Sequence, residues 1–285
     1  MCIKGQKKLN RTRGGNAVIF IMLVLLGTFM ALPMVYAVVQ SVKPLEELYI
    51  FPPRFYARRP TLDNFRDLIT VSASLSVPFE RYVLNSVFVS LVITVGHVII
   101  ASMAAYPLAK HKFPGHKILF NVIVTTLMFS APVMSIPTYI VVARLHLINN
   151  YLSIILPAFA STLGLYLMKQ FMTQIPESML EAARIDGARE MRIFFRIVMP
   201  QVKPAWLTLI IFAFQSAWNQ TGGSFIYNEE LKLLPTILGQ ISAGGIARAG
   251  VSSAASVLLM IPPIATFLIT QSNVIETMSY SGIKE

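Results

Sequence analysis

The sequence predicts an all-α polytopic membrane protein with six transmembrane helices. Three observations carry this prediction. Of 285 residues, 55% are hydrophobic and only 13% are charged, against about 25% charged in soluble domains. The charges are clustered, and the gaps between them are long enough to cross a bilayer core of about 30 Å at roughly 1.5 Å per helical residue. Those gaps fall at residues 17–40, 83–108, 118–143, 151–170, 204–222 and 253–275. An even number of spans returns both chain ends to one side.

Residues 1–16 form a basic arm with Lys4, Lys7, Lys8, Arg11 and Arg13, and residues 17–285 form the membrane domain. The first apolar run starts like a signal peptide, and Val35-Tyr36-Ala37 has the spacing of a cleavage site. The run is longer than the roughly 7–15 residues of a signal h-region, so we read it as an uncleaved span. The loop 41–80 is polar and rich in proline. Within it Thr61-Leu62-Asp63-Asn64-Phe65 has the form of a helix start, which predicts a short surface helix near 62–70. Further connectors lie at 110–117, at 144–150, at the charged stretch 174–203, and in a Gly-rich stretch at 223–252. The spans contain Pro107, Pro132, Pro137, Pro157, Pro262 and Pro263, which membrane helices tolerate where neighbours satisfy the freed carbonyls. Pro132 and Pro137 admit two readings: ordinary kinks, or a break in the third span beside a pathway.

Counting Lys and Arg orients the chain. An inside N-terminus puts the arm, Lys110, Lys112, Lys117, Lys169, Arg184, Arg189, Arg192, Arg196, Lys203 and Lys284 inside. It leaves Lys43, Arg54, Arg58, Arg59, Arg66, Arg81, Arg144, Lys232 and Arg248 outside. The first loop dilutes the bias, but its cations are balanced by Glu46, Glu47, Asp63, Asp67 and Glu80, and longer loops cross with less regard to charge. Both termini and the 174–203 loop are therefore expected in the cytoplasm. The net charge of +11 suits loops facing anionic lipid. No basic run interleaves with aromatics as nucleic-acid modules require, so nucleic acid is excluded as a partner.

The 174–203 loop reads as two helices around a turn. Pro176 suits a first helical turn, and Glu177 and Glu181 lie near the positive helix end. Asp186-Gly187 stops the pattern, because Gly accepts the left-handed conformation of a sharp stop. A second helix over 188–198 carries Arg189, Arg192 and Arg196 on one side, with Met191, Phe194, Phe195 and Val198 near another. Asp186 is expected to cap it, and Pro200 and Pro204 to close it.

Several chemistries are missing. No G-x-x-x-x-G-K-[ST] is present, so this chain binds no nucleotide through a P-loop, and no H-E-x-x-H occurs. Cys2 is the single cysteine, which excludes an internal disulfide framework and a multi-Cys metal site. His97, His111, His116 and His146 have no ligand spacing, so no metal site is expected. The Ser242-Ala243-Gly244-Gly245 cluster is read as an extracellular turn. His97 falls inside the second span, where an ionisable group is a functional candidate or a hydrogen-bonded neutral core residue. Glu276 closes the last span, and no chain of acids crosses the membrane, which argues against proton or ion coupling.

Glu181-Ala182-Ala183, then Gly187, then Met199-Pro200 resemble the EAA loop of ABC importer permeases. Tyr106-Pro107-Leu108-Ala109, Phe113-Pro114-Gly115, Pro137-Thr138-Tyr139, Asn85-Ser86 and Gly282-Ile283-Lys284 are similar to the maltose-type carbohydrate branch of that family. The family commonly has Leu where Met199 stands, and the ending Lys284-Glu285 departs from its usual Lys-Gly. The resemblance implies a type I ABC importer permease fold with a cytoplasmic EAA coupling helix-turn-helix. It also implies a non-catalytic subunit of an ATP-driven, binding-protein-dependent carbohydrate importer, with an oligosaccharide as the substrate.

The implied partners are a second, different permease, an ATPase dimer that binds ATP and Mg, an extracellular solute-binding protein, and membrane lipid. The resemblance assigns Glu181, Ala182, Ala183, Asp186, Gly187 and Pro200 to ATPase coupling. For the pathway, Gln215, Trp218 and Asn219 form an i, i+3, i+4 patch in which indole and amide groups suit a sugar. The same patch suits an interfacial aromatic with polar packing between subunits. The alternative to the importer is a self-sufficient secondary transporter or channel, which would carry solute with no ATPase present.

Overall fold

The computed structural model describes residues 13–73, 77–245 and 248–281. Most of the basic arm and the terminal Gly282-Ile283-Lys284 lie outside these residues. Among them the regular structure is helical throughout. In chain order the helices are α1 (Arg13–Ser41), α2 (Leu45–Leu48), α3 (Asp63–Ala73), α4 (Phe79–Lys110), α5 (His116–Thr126), α6 (Ala131–Arg144) and α7 (Leu152–Phe159). They continue with α8 (Thr162–Thr173), α9 (Glu177–Ile185), α10 (Glu190–Ile193), α11 (Met199–Gln201), α12 (Lys203–Trp218), α13 (Leu234–Ser242) and α14 (Ala249–Ser281). A π-helical turn at Phe194–Val198 joins α10 to α11.

The six expected spans are not all present as single long helices. Four are long and apolar enough to cross a membrane among the described residues: Gly14–Ser41, Phe79–Lys110, Leu152–Thr173 and Ala249–Gln271. A fifth is reached by joining Glu190–Gln201 to Lys203–Trp218, which meet at an 81° bend. The expected span 118–143 is instead two shorter helices, α5 and α6, with a break over 127–130. Pro132 accounts for the position of the break. It has no N–H to continue the helix, and its ring collides with the carbonyl four residues back, so it sits in the first turn of a new helix. Pro137 is carried inside α6.

The helix expected near 62–70 is α3, and the Thr61 hydroxyl accepts the Asp63 N–H at its start, at 3.1 Å. The Gly-rich connector holds an element that the sequence reading missed. In α13 the buried Leu234, Ile237, Leu238 and Ile241 follow the i, i+3, i+4, i+7 spacing of an amphipathic helix.

The chain divides into two compact units. One comprises Met1–Leu68 with Gly245–Val257, and the other Ile69–Gly244 with Leu258–Glu285. In the first, the loop after α1 is tied back on itself. Asn64 donates from Nδ2 to the Ser41 and Lys43 carbonyls at 2.9 and 2.7 Å, and the Glu47 carboxylate accepts the Arg58 and Arg59 N–H groups.

In the second unit α4 is the spine, and α7, α8 and α12 pack along it. Its packed face is rich in small residues, with Ser86, Ser90, Thr94, Ala101, Ser102 and Ala105 buried. Small side chains let membrane helices approach closely. The Thr94 and Ser102 hydroxyls donate to carbonyls one turn back, at 2.6 Å each. One apolar cluster joins Val98, Ala101 and Tyr106 of α4 to Met168 and Met172 of α8, and to Leu180, Ala183, Ile193, Phe194 and Val198 of the loop that follows. The charged loop is thus seated on the same core as the apolar helices.

Candidate coupling site and membrane cavity

The turn between α9 and α10 is built around Gly187. Its φ is +75°, in the left-handed region that costs a side chain-bearing residue about 1–2 kcal/mol. The Gly187 N–H donates to the Arg184 carbonyl, and the Ala188 N–H to the Ala183 carbonyl, at 3.0 Å each. That pair of bonds is a Schellman stop, which satisfies the last carbonyls of α9. Leu180 and Ala183 face the core, whereas Glu181, Ala182 and Ile185 face outward. Ile185 is 86% exposed, and Glu181 has no hydrogen bond or ion pair among the described residues. A bare carboxylate beside a small residue and an uncovered isoleucine is an incomplete surface.

Two features of the second helix differ from the expectation. The residue before α10 is Arg189, and no side chain caps that helix. Asp186 instead closes α9, because Gly187 and Ala188 are consumed by the Schellman turn. The chain also does not turn at Pro200. The 81° bend centres on Val202, which follows α11, while Pro204 opens α12. Pro200 lies inside the helical run, and the preceding π turn accommodates it: the Met199 N–H reaches back to the Phe194 carbonyl, five residues away rather than four. A wider turn relieves the clash that a proline ring imposes one turn back. At the bend the Trp206 indole N–H donates to the Met199 carbonyl at 3.1 Å.

Glu190, the first residue of α10, joins three elements. Its Oε1 accepts from Arg184 Nε of α9 at 2.9 Å. Its Oε2 accepts the Tyr106 hydroxyl of α4 at 2.7 Å and lies 3.6 Å from His111 Nε2. Tyr106 is buried, and its ring packs on Phe194 and edge-on to His111. Sequence reasoning missed Glu190 because only the fold brings Tyr106 near it. The signal present was the isolated Tyr106 at the end of a span, a polar tip on an apolar body.

Away from the loop, α4, α6, α7, α8, α12 and the segment after α12 line a half-open cavity of about 800 Å³. Its polar lining includes Ser135, Thr138 and Tyr139 of α6, Ser153 of α7, Ser216 of α12, and Gln220, Ser224 and Tyr227 beyond it. Among the described residues no Lys, Arg, Asp or Glu lines it. His97 is in the wall, and its Nδ1 lies 3.3 Å from the Phe159 carbonyl, at the break between α7 and α8. A carbonyl only accepts, so the ring proton in that bond belongs to Nδ1. The ring fits because position 164 is Gly: a Cβ there would stand 2.2 Å from His97 Nε2.

The model of the family described as binding-protein-dependent transport system inner membrane component matches residues 97–269. That stretch holds the α9–α10 turn and most of the cavity. The chain belongs to this family. It is 33% identical to the sn-glycerol-3-phosphate transport system permease protein UgpE of Pectobacterium atrosepticum over 213 residues, 73% of this chain and 76% of the relative. It is 31% identical to the UgpE of Escherichia coli O1:K1 over 255 residues, 88% of this chain and 91% of the relative. Among solved structures, a bacterial ABC transporter involved in the import of the acidic polysaccharide alginate contains a chain with the same fold. The TM-score is 0.75 at 23% identity, covering 93% of this chain and 99% of that one.

As an inner membrane permease of this family, the chain carries its EAA segment on α9, and Ala183 is its buried member while Glu181 and Ala182 are exposed. The other residues of the family resemblance also acquire contacts. Asn85 donates to the Glu230 and Lys232 carbonyls at 2.9 and 3.0 Å, and Ser86 Oγ accepts the Leu234 N–H at 2.7 Å, which anchors the start of α13. Thr138 and Tyr139 line the cavity.

The patch of Gln215, Trp218 and Asn219 is placed elsewhere. On α12 the cavity wall is Phe212, Ala213, Ser216 and Ala217, followed by Gln220. Trp218 is 3% exposed, stacked on Phe214, and its indole N–H donates to the Leu259 carbonyl at 3.1 Å. Asn219 donates to the Gln215 carbonyl at 2.9 Å. The polar face of the helix that lines the cavity is offset by one residue, which is about 100° of helix rotation.

Proposed function

We propose that this chain is one of two different permease subunits in an ATP-driven importer of a neutral oligosaccharide. It forms half of the pathway, and its α9–α10 turn docks on a separate ATPase dimer. ATP and Mg bind to that ATPase, and an extracellular solute-binding protein delivers the sugar. Both termini and the 174–203 loop lie on the cytoplasmic side, a placement that the Lys/Arg distribution supports.

The observation that carries this reading is the outward face of α9. Glu181, Ala182 and Ile185 form a small charged and apolar surface, backed by Leu180 and Ala183 on the membrane core. An amphipathic helix with one face committed and one face bare is the ligand of a helix-in-groove contact. Glu181 supplies the charged contact to a basic ATPase residue. Ala182 permits close approach, Gly187 and Asp186 set the end of the helix, and Pro200 keeps the second helix in register with the π turn.

The cavity supports the substrate class. Hydroxyls, an amide and tyrosine rings suit a neutral polyol, through hydrogen bonds and stacking on C–H faces. A phosphate dianion, the cargo named for the UgpE relatives, would meet no Lys or Arg among the described residues of this subunit's share of the wall. At about 800 Å³ the space is of the size that ligand pockets commonly have.

The test is capture of the ATPase by the assembled membrane complex. Glu181→Lys is expected to reduce capture while the two permeases remain associated, and undiminished capture overturns the docking reading. For substrate class, the reconstituted complex is challenged with neutral oligosaccharides, sn-glycerol 3-phosphate and an oligouronide. Stimulation of ATP hydrolysis by a neutral sugar is expected, and stimulation by the anions alone overturns the class.

A further inference from the structure

We propose that Glu190 is a positioning residue that locks the docking helix α9 to the spine helix α4, so that displacement of α9 is delivered to the membrane cavity. The proposal rests on the docking reading above and adds the route beyond it.

Besides the Gln201 amide, which donates to Met179 Sδ of α9 at 2.7 Å, two kinds of contact connect α9 to the membrane helices. The first is apolar, through Leu180 and Ala183 against the shared core. Dispersion and burial are non-directional, so such a contact lets one helix slide over another at little cost. The second is the Glu190 carboxylate. One of its oxygens is committed to Arg184 of α9 at 2.9 Å and the other to the Tyr106 hydroxyl of α4 at 2.7 Å. Charge-assisted hydrogen bonds are directional and about twice as strong as neutral ones. A carboxylate with a separate partner on each oxygen fixes two distances at once, and sliding breaks at least one of them.

The location suits transmission. Arg184 is one residue from Ile185 on the exposed face of α9. Tyr106 is one turn from the C-terminal end of α4, the helix along which α7, α8 and α12 pack and which contributes His97 to the cavity wall. Lys110, at that same end, donates to the Ile175 carbonyl just before α9. The entry of α9 is thereby tied to α4 as well, which leaves its far end to Arg184 and Glu190. A push on the docking face thus passes from Arg184 through Glu190 to Tyr106, and then along α4.

The experiment uses the complete complex in nanodiscs, with Ser216→Cys, exposed in the cavity, as a reporter of maleimide reactivity before and after addition of ATP and vanadate. The change in reactivity with nucleotide is expected to fall about tenfold in Glu190→Gln and in Tyr106→Phe, within the usual span of coupling between sites. ATPase capture and basal ATP hydrolysis are expected to stay within twofold. The double variant is expected to be no worse than either single variant, because both sever one link. Tyr106→Phe keeps the ring and its packing, so it stands if Glu190→Gln fails to assemble. A full nucleotide response in Tyr106→Phe, or independent losses that multiply in the double variant, overturns the proposal. Loss of capture in Tyr106→Phe also overturns it, by making the contact part of docking. Failure of the docking reading is read separately, from Glu181→Lys.

Discussion

The α9–α10 turn and the membrane cavity are built from opposite materials. The turn is made of charges and a single obligatory backbone geometry, and its exposed face has no partner among the described residues. The cavity is made of hydroxyls and rings on several helices, and among the described residues no Lys, Arg, Asp or Glu lines it. The shape of the turn is set locally, by Gly187 and the two hydrogen bonds around it. The polarity of the cavity is spread thinly over α6, α7, α12 and the segment beyond. One region can be destroyed by a single backbone change, and the other is altered only by degrees.

Gly187→Pro should give the largest effect. Proline holds φ near −65°, whereas Gly187 requires +75°, so the Schellman stop cannot form. ATPase capture by the complex is expected to fall about 100-fold or more, roughly 3 kcal/mol of docking free energy, while the permease pair still inserts. Gly164→Ala should come next, and it should act on stability. The new methyl would stand 2.2 Å from His97 Nε2 and 2.9 Å from a Leu209 methyl, an overpacking that costs about 1–3 kcal/mol. It should lower the melting temperature of the purified complex, and an unchanged melting temperature would show that the His97 ring is free to move away.

Gln220→Ala should raise KM for uptake several-fold, about 1 kcal/mol for one lost hydrogen bond, with assembly unchanged. Trp218→Phe should be the mildest. It removes the hydrogen bond to Leu259 and keeps the stacking on Phe214, so stability falls by about 1 kcal/mol and KM stays constant. A KM change in Trp218→Phe with none in Gln220→Ala would reverse the assignment of the cavity face.

The turn was legible in the sequence because its determinants are local. Pro176, Glu181-Ala182-Ala183 and Gly187 announce a helix, its exposed face and its stop within a dozen residues. The second helix was read less well. A proline ordinarily ends a helix, but the π turn before Pro200 absorbs it and the bend moves to Val202. The cavity was the least legible. Along α12 beyond Lys203 every face is apolar or neutral, so neither periodicity nor charge distinguishes the face toward the cavity from the face toward Leu259, to whose carbonyl the Trp218 indole donates. Glu190 and Tyr106 lie on elements far apart in the chain, and no local pattern joins them. The helix α13 carried a readable apolar stripe, hidden among glycines that suggested a loop.

The central claim is that the bare face of α9 is where this permease receives work from an ATPase. The most direct measurement places a photo-crosslinking benzoylphenylalanine at position 185 in the intact complex, with the same residue at position 216 as the control. Position 185 is predicted to form an adduct with the ATPase subunit that is lost when Gly187→Pro is added, and position 216 is predicted to form none. Adducts from position 185 to lipid alone, or to the ATPase from position 216, would contradict the account.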